Sequence, residues 1–439
     1  MGFNSAALAA QAKANSNAAI LAAQPRNAFG ALSRASVRPV DLVLIGDSTQ
    51  MIDGYGWWGA LTNAYGAKYT IWATALYPAQ SSGNAYATGG YISALVTGTT
   101  GATSGADSSF DSLGLPDTNY LYTASGDMGG SNGVIVNNAG GFDITGNLKH
   151  HIWHGSFTTG SGALTPGVRL EGSPYSILAT GSTVSTNTGA FGEIETTLSL
   201  AAGSRAATQL GFKTRVPGGT ASVGPTLILA QRVENLSAEA GISIHSFYGV
   251  AGKSALDMAN WAKGNVSSGT ITGTINLSKL MWGFGKLRAM QIARGHRPII
   301  VVRICTGLND RNIATGTASA GWRATTPGNG PNAYADNIDA IINRLETGWR
   351  TNGWDLSELF FLIVPSYPVA SVDDMASYRA AAKNGANRQN VSWVDYSALT
   401  SYAEITANGW LKSDGIHANG TGFDNLAPRE VALIPAFAA

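Results

Sequence analysis

Near-continuous apolar runs of strand length recur in two parts of the chain, before residue 80 and after residue 240. Runs of this kind are typical of strands that are buried on both faces of a parallel sheet. They comprise Val40–Ile45, Ile242–Tyr248, Pro298–Ile304, Leu359–Val364 and Val391–Val394. Helical spacing lies between several of these runs. Strands that alternate with helices predict a parallel sheet with helices on both faces.

Three segments predict the helices that accompany this sheet. Tyr334–Arg350 is amphipathic, with isoleucine and leucine residues spaced three and four apart along one side. Trp57–Tyr65 and Ser254–Ala262 are the other two. Upstream, the alanine content predicts a further helix over residues 5–23, which ends before Pro25. Its apolar face is weak, so it needs a partner.

From about residue 81 to residue 239, short alternating segments are separated by Gly, Ser, Thr and Asn. Alternation with period two and frequent turn residues is typical of strands, and several at this spacing predict a β-sandwich. The predicted strands are Gly133–Asn137, Lys149–Phe157, Val168–Glu171, Glu193–Leu200, Gln209–Val216 and Thr226–Val233.

Together these patterns predict an α/β domain that is interrupted by an inserted β-rich domain. An N-terminal helix or connector covers residues 1–30, the α/β domain covers residues 31–80 and 240–439, and the insertion covers residues 81–239. A chain of 439 residues is longer than one hydrophobic core usually organises, which fits this division.

The amino-acid composition limits the kinds of molecule that the protein is expected to bind. Only 13% of the residues are charged, the net charge is +1, and no Lys or Arg lies between Lys68 and Lys149. A surface with so few cations does not hold phosphates strongly, so we expect no nucleic-acid partner. The 55 Gly, 11 Trp and 15 Tyr residues instead indicate a folded, turn-rich β protein of the secreted or virion type.

The N-terminal segment does not have the pattern of a signal peptide. It lacks a basic start, and polar residues such as Gln11 and Lys13 interrupt its apolar stretch. No run is long enough to span a membrane, so we expect a soluble protein, whose location stays open. Homo-oligomer or virion assembly through this segment is one hypothesis. The single cysteine, Cys305, excludes an intrachain disulfide.

Polar residues that suit acyl transfer follow the predicted strands, where reactive groups gather in open parallel sheets. The segments are Gly46-Asp47-Ser48, Gly249-Val250-Ala251-Gly252, Gly307-Leu308-Asn309-Asp310 and Ser413-Asp414-Gly415-Ile416-His417. A serine hydroxyl needs a base that takes its proton, and the base needs a carboxylate that orients it. Ser48, His417 and Asp414 can fill these roles, because Asp414 lies three residues before His417.

The tetrahedral intermediate of acyl transfer also needs hydrogen-bond donors aimed at its oxyanion. The backbone N–H groups of Ser48 and Gly252 and the side-chain amide of Asn309 can supply three. A glycine at 252 suits a backbone that must approach the substrate closely. This chemistry uses protein groups alone, so we expect no metal ion and no other cofactor.

These four segments, in this order, resemble the four sequence blocks of the SGNH (GDSL-like) hydrolases. The resemblance implies a three-layer α/β/α sandwich with a flavodoxin-like parallel sheet. It also implies Ser48 as nucleophile, His417 as base, Asp414 as its orienting carboxylate, and Gly252 and Asn309 as oxyanion donors. Members of the family are esterases, lipases, thioesterases and carbohydrate O-acetylesterases.

The resemblance covers only the α/β parts of the chain, and two positions depart from the family pattern. Thr49 follows the serine, where the family often has Leu or Ile. Phe247-Tyr248 stand where the second block often begins with Asn. The spacing from Ser48 to Gly252 is unusually long, which the predicted insertion explains.

Two aromatic features in the chain invite further hypotheses. His150 and His154 share one face of a strand, but no Cys is nearby, so we favour a solvated or stacking histidine cluster over a metal site. Trp57, Trp58 and Trp153 are candidates for stacking on sugar rings, although aromatic residues more often belong to the core.

Three functional hypotheses follow. The first is a serine esterase that removes small acyl groups, above all acetyl, from a carbohydrate, because the insertion is neutral, polar and aromatic. The second changes the substrate to a lipid ester or a thioester. The third is a phage tail or other virion protein that binds a glycan, in which the hydrolytic site is secondary.

Overall fold

The structure is a computed structural model. It describes residues 25–47, 56–73, 75–78, 102–106, 119–123, 134–136, 146–156, 163–170, 176–180, 182, 184–185, 192–200, 210–215, 226–250, 254–262, 277–310, 330–369, 376–385 and 388–436. The helix predicted over residues 5–23 lies outside these ranges, as do Ser48 and Gly252.

The described elements alternate between helices and strands at the two ends of the chain, with strands alone between them. The strands are β1 (Pro39–Asp47), β2 (Tyr77–Pro78), β3 (Ala102–Ala106), β4 (Asn119–Thr123), β5 (Val134–Val136), β6 (Gly146–Ser156), β7 (Ala163–Leu170), β8 (Ser176–Thr180), β9 (Val184–Ser185), β10 (Gly192–Leu200), β11 (Leu210–Arg215), β12 (Thr226–Asn235), β13 (Gly241–Val250), β14 (Ile300–Thr306), β15 (Leu359–Pro365) and β16 (Val391–Trp393). The helices are α1 (Ala28–Ser33), α2 (Gly56–Lys68), α3 (Ala255–Ala262), α4 (Leu277–Ala293), α5 (Pro331–Thr351), α6 (Ala376–Gly385), α7 (Tyr396–Leu399), α8 (Tyr402–Ala407) and α9 (Gly420–Ala432). None of these described helices has the length and apolarity that a membrane span needs.

A five-stranded sheet with the order β13-β1-β14-β15-β16 organises the α/β part. Every neighbouring pair in it is parallel. All five predicted buried runs are strands of this sheet, so the predicted parallel sheet is confirmed. Counted along the chain within the sheet, the order is 2-1-3-4-5, one of the two common doubly wound orders.

Alternate residues of these strands contribute to two separate hydrophobic clusters. In β1, Leu42 and Leu44 join a cluster that includes residues of α1, α2 and α9. Val43 and Ile45 join a second cluster, which includes residues of α3, α4, α5 and α6. Each fully buried aliphatic side chain contributes about 1.5–3 kcal/mol. Burial on both faces therefore explains why most positions of these strands are apolar.

The middle of the chain forms antiparallel sheets. One sheet has the order β10-β6-β12-β4-β3, with β2 also paired to β12, and the other has the order β5-β11-β7-β8, with β9 paired to β7. All six strands predicted in this part are found, within a few residues of their predicted ends. The β-rich character of the segment is thus confirmed.

The two ends of the β-rich segment lie side by side. Ala73 bridges Glu234 in antiparallel fashion, and β2 pairs with β12. Two residues earlier, Ile71 bridges Ile242 of β13 in parallel fashion. The chain therefore leaves the parallel sheet and returns to it at one place, which is the arrangement that tolerates a large insertion.

A fully buried polar cluster joins β12 of the antiparallel sheet to β1 and β13 of the parallel sheet. Asp41 of β1 accepts hydrogen bonds from Arg232 (2.6 Å), His245 (2.9 Å) and Gln291 (2.8 Å). Burial alone would raise the pKa of Asp41, but Arg232, His245 and Gln291 together hold it below its ordinary value. Four elements, β1, β12, β13 and α4, therefore meet at one ionised carboxylate.

A second polar cluster surrounds His151 of β6 and shares β12 with the first, through Glu234. Its Nδ1 lies 3.2 Å from Glu193 and its Nε2 lies 2.9 Å from Glu234. Arg294, which directly follows α4, also donates to Glu234, at 3.1 Å. Burial lowers the pKa of His151, but the two carboxylates outweigh it and raise the pKa above the ordinary value. An imidazolium donates to both carboxylates at once, so β6 is held between β10 and β12 by charge.

The sequence pattern predicts a histidine cluster that is either solvated or stacked. The structure excludes the solvated form. His150, His151 and His154 are all buried. The stacking half of the prediction holds, because the His151 ring lies parallel to that of Trp153, with centroids 5.9 Å apart.

We expect Asp41→Asn to lower the free energy of unfolding by about 3–5 kcal/mol, because it removes the negative charge that the buried Arg232 faces. Urea denaturation measures the change. The matched control is Asp336→Asn on the exposed side of α5, which should change stability by less than about 0.5 kcal/mol. Equal effects of the two variants would show that the buried cluster contributes little.

We expect His151→Gln to destabilise the protein by on the order of 2 kcal/mol at pH 5–6, because two hydrogen bonds to charged groups are weakened. The folded-state pKa of His151 is raised. The stabilisation is therefore complete below the unfolded-state pKa of about 6.5 and is lost as pH rises through the folded-state pKa. Melting temperatures of both proteins between pH 5 and pH 9 should converge at the alkaline end, and a constant difference would contradict this account.

Candidate functional site

Three of the four predicted segments emerge at one edge of the parallel sheet. Strands β13, β1 and β14 are parallel neighbours and end at Val250, Asp47 and Thr306. Ser48 directly follows β1 and Gly252 lies two residues beyond β13, both outside the described residues. In doubly wound sheets, ligands bind at the carboxyl ends of the strands where the strand order reverses, and here that point lies between β1 and β14.

Asp414 and His417 form a hydrogen-bonded pair in the turn between α8 and α9. The His417 Nδ1 lies 2.6 Å from Asp414 Oδ2. The other carboxylate oxygen, Oδ1, accepts the backbone N–H groups of Ile416 and His417, both at 2.9 Å. Three donors therefore fix this carboxylate against the imidazole.

The backbone of this turn follows from two sequence features. Gly415 has φ +70, a left-handed conformation that glycine adopts without steric cost. The Lys412 N–H donates to the His417 carbonyl at 2.7 Å and closes the turn. Asn419 then begins α9, since its side chain accepts the Gly422 N–H at 2.9 Å. His417 thus lies between a closed turn and a capped helix.

The electrostatics of the pair suit a base with an orienting carboxylate. Partial burial would raise the pKa of Asp414, but the His417 imidazole and the two backbone N–H groups lower it below its ordinary value. An ionised carboxylate only accepts hydrogen bonds, so the proton lies on His417 Nδ1. The lone pair of the neutral ring is then on Nε2. The side chains of His417 and Asp414 are 23% and 43% exposed.

Asn309 lies in a short helical turn just after β14. Gly307 has φ +119, which turns the chain away from the strand, and the Leu308 side chain is buried in the first cluster. The buried Asp310 carboxylate accepts the Ala255 N–H at 2.9 and 3.1 Å through its two oxygens. Ala255 begins α3, three residues after Gly252. Asp310 therefore ties the segment that carries Asn309 to the helix that follows Gly252.

Two helices connect the Ser48 segment with the His417 turn. Helix α2 follows Ser48 and α9 follows His417, and the two helices pack together. Near their amino ends the rings of Trp57 and Phe423 lie 5.2 Å apart, and near their carboxyl ends Lys68 donates to the Ile434 carbonyl at 2.6 Å. The helices therefore run side by side in the same direction. The His417 turn therefore enters α9 at the end of this pair at which α2 also begins.

A buried ion pair fixes α9 on the sheet. Arg303 of β14 donates to both oxygens of Glu430 at 2.8 and 2.7 Å, and the Tyr396 hydroxyl donates to the same carboxylate at 2.6 Å. The pKa of Arg303 is raised by Glu430, although burial opposes this. Glu430 lies near the carboxyl end of α9, so this ion pair fixes that end of the helix against the strand that precedes Asn309.

The three tryptophans proposed for sugar stacking are core residues. Trp57 is 0% exposed, Trp58 is 2% exposed and Trp153 is 4% exposed. Trp57 packs against Tyr367, Tyr396 and Phe423, and a sugar ring would have to displace such packed side chains to reach it. The stacking role therefore does not fit the structure. Aromatic residues of the core give the same sequence signal as exposed ones.

Sequence reasoning missed a second Asp–His pair, Asp41 and His245. His245 Nε2 lies 2.9 Å from Asp41, and its Nδ1 accepts the Leu76 N–H at 2.8 Å. Burial lowers the pKa of His245 to about 4, although the hydrogen bond to Asp41 opposes this. Both ring nitrogens are engaged and the side chain is fully buried, so this pair cannot serve as a base toward a substrate.

Within the described residues, His151, Glu193 and Glu195 form the group whose ligand atoms lie close enough to hold a metal ion. Charged partners already explain the geometry. Lys286 lies 3.3 Å from Glu193, and Lys149 lies 2.6 Å from Glu195. We therefore assign this group to the ion-pair cluster described above.

Comparisons with known proteins do not identify a family. No family model matches the chain, and no curated protein matches it. Among solved structures, the CBM22-2 xylan-binding domain of Paenibacillus barcinonensis Xyn10C is 14% identical with a TM-score of 0.24, over 32% of this chain and 89% of that domain.

Two further structures give equally low scores. The arabinose-bound MgGH51 α-L-arabinofuranosidase is 14% identical with a TM-score of 0.29, over 76% of this chain and 61% of that enzyme. The carbohydrate-binding module CBM6cm-2 of Cellvibrio mixtus lichenase 5A is 16% identical with a TM-score of 0.21, over 33% of this chain and 94% of that module. TM-scores this low establish neither fold nor function.

We expect Gly415→Ala to lower the free energy of unfolding by about 1–2 kcal/mol, because an L-residue at φ +70 is strained. No atom lies within 4 Å of an added Cβ, so the effect is purely conformational. Gly420→Ala is the matched control, since it has equal space and no positive φ, and it should be neutral or slightly stabilising. Equal melting temperatures for the two variants would contradict the role of Gly415.

Proposed function

We propose that this protein is a serine esterase of the SGNH type, with Ser48 as nucleophile, His417 as base and Asp414 as its orienting carboxylate. The observation that carries the proposal is the 2.6 Å hydrogen bond between His417 Nδ1 and Asp414 Oδ2 in a partly exposed turn. The strand order supports it, because β1 and β14 deliver Ser48 and Asn309 to one sheet edge.

The proposed reaction proceeds through an acyl-enzyme. The Ser48 hydroxyl oxygen attacks the ester carbonyl carbon while His417 Nε2 takes its proton. The tetrahedral intermediate then collapses, the ester C–O bond breaks, and His417 returns the proton to the leaving alcohol. Water attacks the acyl-enzyme in the same way, which releases the acid and restores the Ser48 hydroxyl.

The oxyanion of each tetrahedral intermediate accepts hydrogen bonds from the Ser48 and Gly252 backbone N–H groups and the Asn309 amide. The buried hydrogen bond from Ala255 to Asp310 supports this assignment, because it links the segments of two of these donors. Removal of one such donor typically costs a factor of about 10²–10³ in kcat. In this proposal the sheet and its two helical faces form the family's three-layer sandwich.

The proposed substrate is a small acyl ester, above all acetyl, on a carbohydrate. A neutral chain with few charges and many polar and aromatic residues suits a glycan better than a lipid. The segment of residues 81–239 is the proposed carrier of substrate selection, as a β-sandwich inserted into the hydrolase domain. A lipid ester or thioester substrate is the alternative. It predicts activity that rises with acyl chain length, whereas the acetyl proposal predicts a fall.

We expect Ser48→Ala to abolish hydrolysis of p-nitrophenyl acetate, with kcat reduced at least ~10³-fold, because no other group replaces the nucleophile. The melting temperature should stay within a few degrees of the wild type. Ser377→Ala, on the exposed face of α6, is the control and should retain full activity. The substrate class is then read from acetate released by a panel of acetylated polysaccharides. Unchanged turnover by Ser48→Ala would overturn the proposed function.

A further inference from the structure

A single buried side chain, Tyr367, holds the backbone on both sides of His417. Its hydroxyl donates to the Ile416 carbonyl at 3.1 Å and accepts the Ala418 N–H at 2.7 Å. These two peptide groups flank the histidine directly in sequence. The phenol therefore spans the residue that carries the proposed base, although it comes from another part of the chain, just after β15.

Because Tyr367 is buried, its hydroxyl group is not readily replaced by water in these two hydrogen bonds. Only 1% of the residue is exposed. Burial also raises the pKa of Tyr367, although the Ala418 N–H opposes this, so the phenol keeps its proton and its donor role. One donor and one acceptor on the same oxygen match one carbonyl and one N–H, and a charged or apolar group could not do both.

Tyr367 is itself fixed to the elements that lead to the rest of the site. The neighbouring Ser366 N–H donates to the Thr306 carbonyl at 3.2 Å, at the end of the strand before Asn309. The Tyr367 ring meets the Trp57 ring edge to face, with centroids 6.4 Å apart. Trp57 lies at the start of α2, the helix after Ser48. The Tyr367 side chain thus contacts both the turn that carries His417 and α2, the helix that follows Ser48 in the sequence.

We propose that Tyr367 is a positioning residue that fixes the backbone on both sides of His417 and thereby orients its imidazole for proton transfer. The inference rests on the proposed function, because it assigns a role in that same site. Tyr367 acts through the backbone of His417 and has no proposed contact with substrate. Its expected effect is on the geometry of proton transfer, to which rates are sensitive: a displacement of about 1 Å can cost 10²-fold.

The test compares Tyr367→Phe with Tyr396→Phe. Both variants delete one buried hydroxyl and keep a ring that packs on Trp57. The Tyr396 hydroxyl bonds to Glu430 and does not contact the residues next to His417, so Tyr396→Phe measures the cost of losing a buried hydroxyl bond here. For p-nitrophenyl acetate, Tyr367→Phe should lower kcat ~10- to 100-fold with KM changed less than about twofold. Tyr396→Phe should lower the melting temperature with kcat close to that of the wild type.

A second readout does not depend on turnover. The Nδ1 proton between His417 and Asp414 gives a low-field proton NMR signal, which is assigned by its loss in His417→Gln. This signal should shift or broaden in Tyr367→Phe and stay unchanged in Tyr396→Phe. The proton between His245 and Asp41 belongs to a separate buried pair and serves as an internal reference in both variants.

The outcomes separate the two proposals. If the wild type hydrolyses the ester, equal kcat values for the wild type and Tyr367→Phe would overturn the positioning role and leave the esterase intact. A parallel loss of kcat in both phenylalanine variants would also overturn it, because the effect would then be one of general stability. If the wild type has no esterase activity, the proposed function is wrong. The positioning role of Tyr367 in that reaction is then wrong as well. The NMR signal then decides whether Tyr367 orders the His417 turn at all.

Discussion

The ionised carboxylate of Asp41 is the constraint on which the architecture depends. It lies in β1, an inner strand of the parallel sheet that is buried on both faces, and a charge there is tolerated only if donors surround it. Those donors come from β12, β13 and α4, so the carboxylate couples the antiparallel sheet to the parallel one. Buried ion pairs add less to stability than to the choice of one arrangement, because any other placement of β12 leaves the charge exposed to an apolar core.

The same principle operates at the edge where the candidate site lies. The Arg303–Glu430 pair fixes α9 against β14 from within the core. The turn that carries Asp414 and His417 lies at the other end of α9, where the Tyr367 hydroxyl bonds to the backbone on both sides of His417. A buried phenol thus supports the backbone of a partly exposed turn, and a buried ion pair supports the helix that follows it.

Much of the fold could be predicted, because burial on both faces leaves a strong signature in sequence. The five strands of the parallel sheet are nearly continuous apolar runs, and the strands of the middle segment alternate. Helix α4 could not be predicted in this way, since Gly283 and Gly285 interrupt its sequence. The structure explains Gly283: a Cβ there would lie 2.7 Å from the ring of Phe247, so the helix needs glycine for close packing on β13.

The site could be predicted less completely. The four segments and their order are visible in sequence, and their positions relative to the strands follow from the rule that reactive groups gather at carboxyl ends. Partners that are distant in sequence are not visible. Nothing in the run around Asp41 identifies Arg232, and nothing near His417 indicates Tyr367. Only its burial shows that Trp57 is a core residue, because a core tryptophan and one that stacks on a sugar ring can have the same sequence context.

Two aspartate–histidine pairs among the described residues have nearly equal hydrogen bonds, 2.6 Å in Asp414–His417 and 2.9 Å in Asp41–His245. The two pairs differ in their surroundings, because one is fully buried and the other is partly exposed. In the buried pair the second ring nitrogen accepts a backbone N–H, and burial keeps the imidazole neutral at the cost of its basicity. In the partly exposed pair the aspartate also accepts two backbone N–H groups of its own turn, and the side chains of His417 and Asp414 are 23% and 43% exposed. The basicity of an imidazole in such a pair therefore depends on its burial and on its other hydrogen-bond partners, and both are set by the fold.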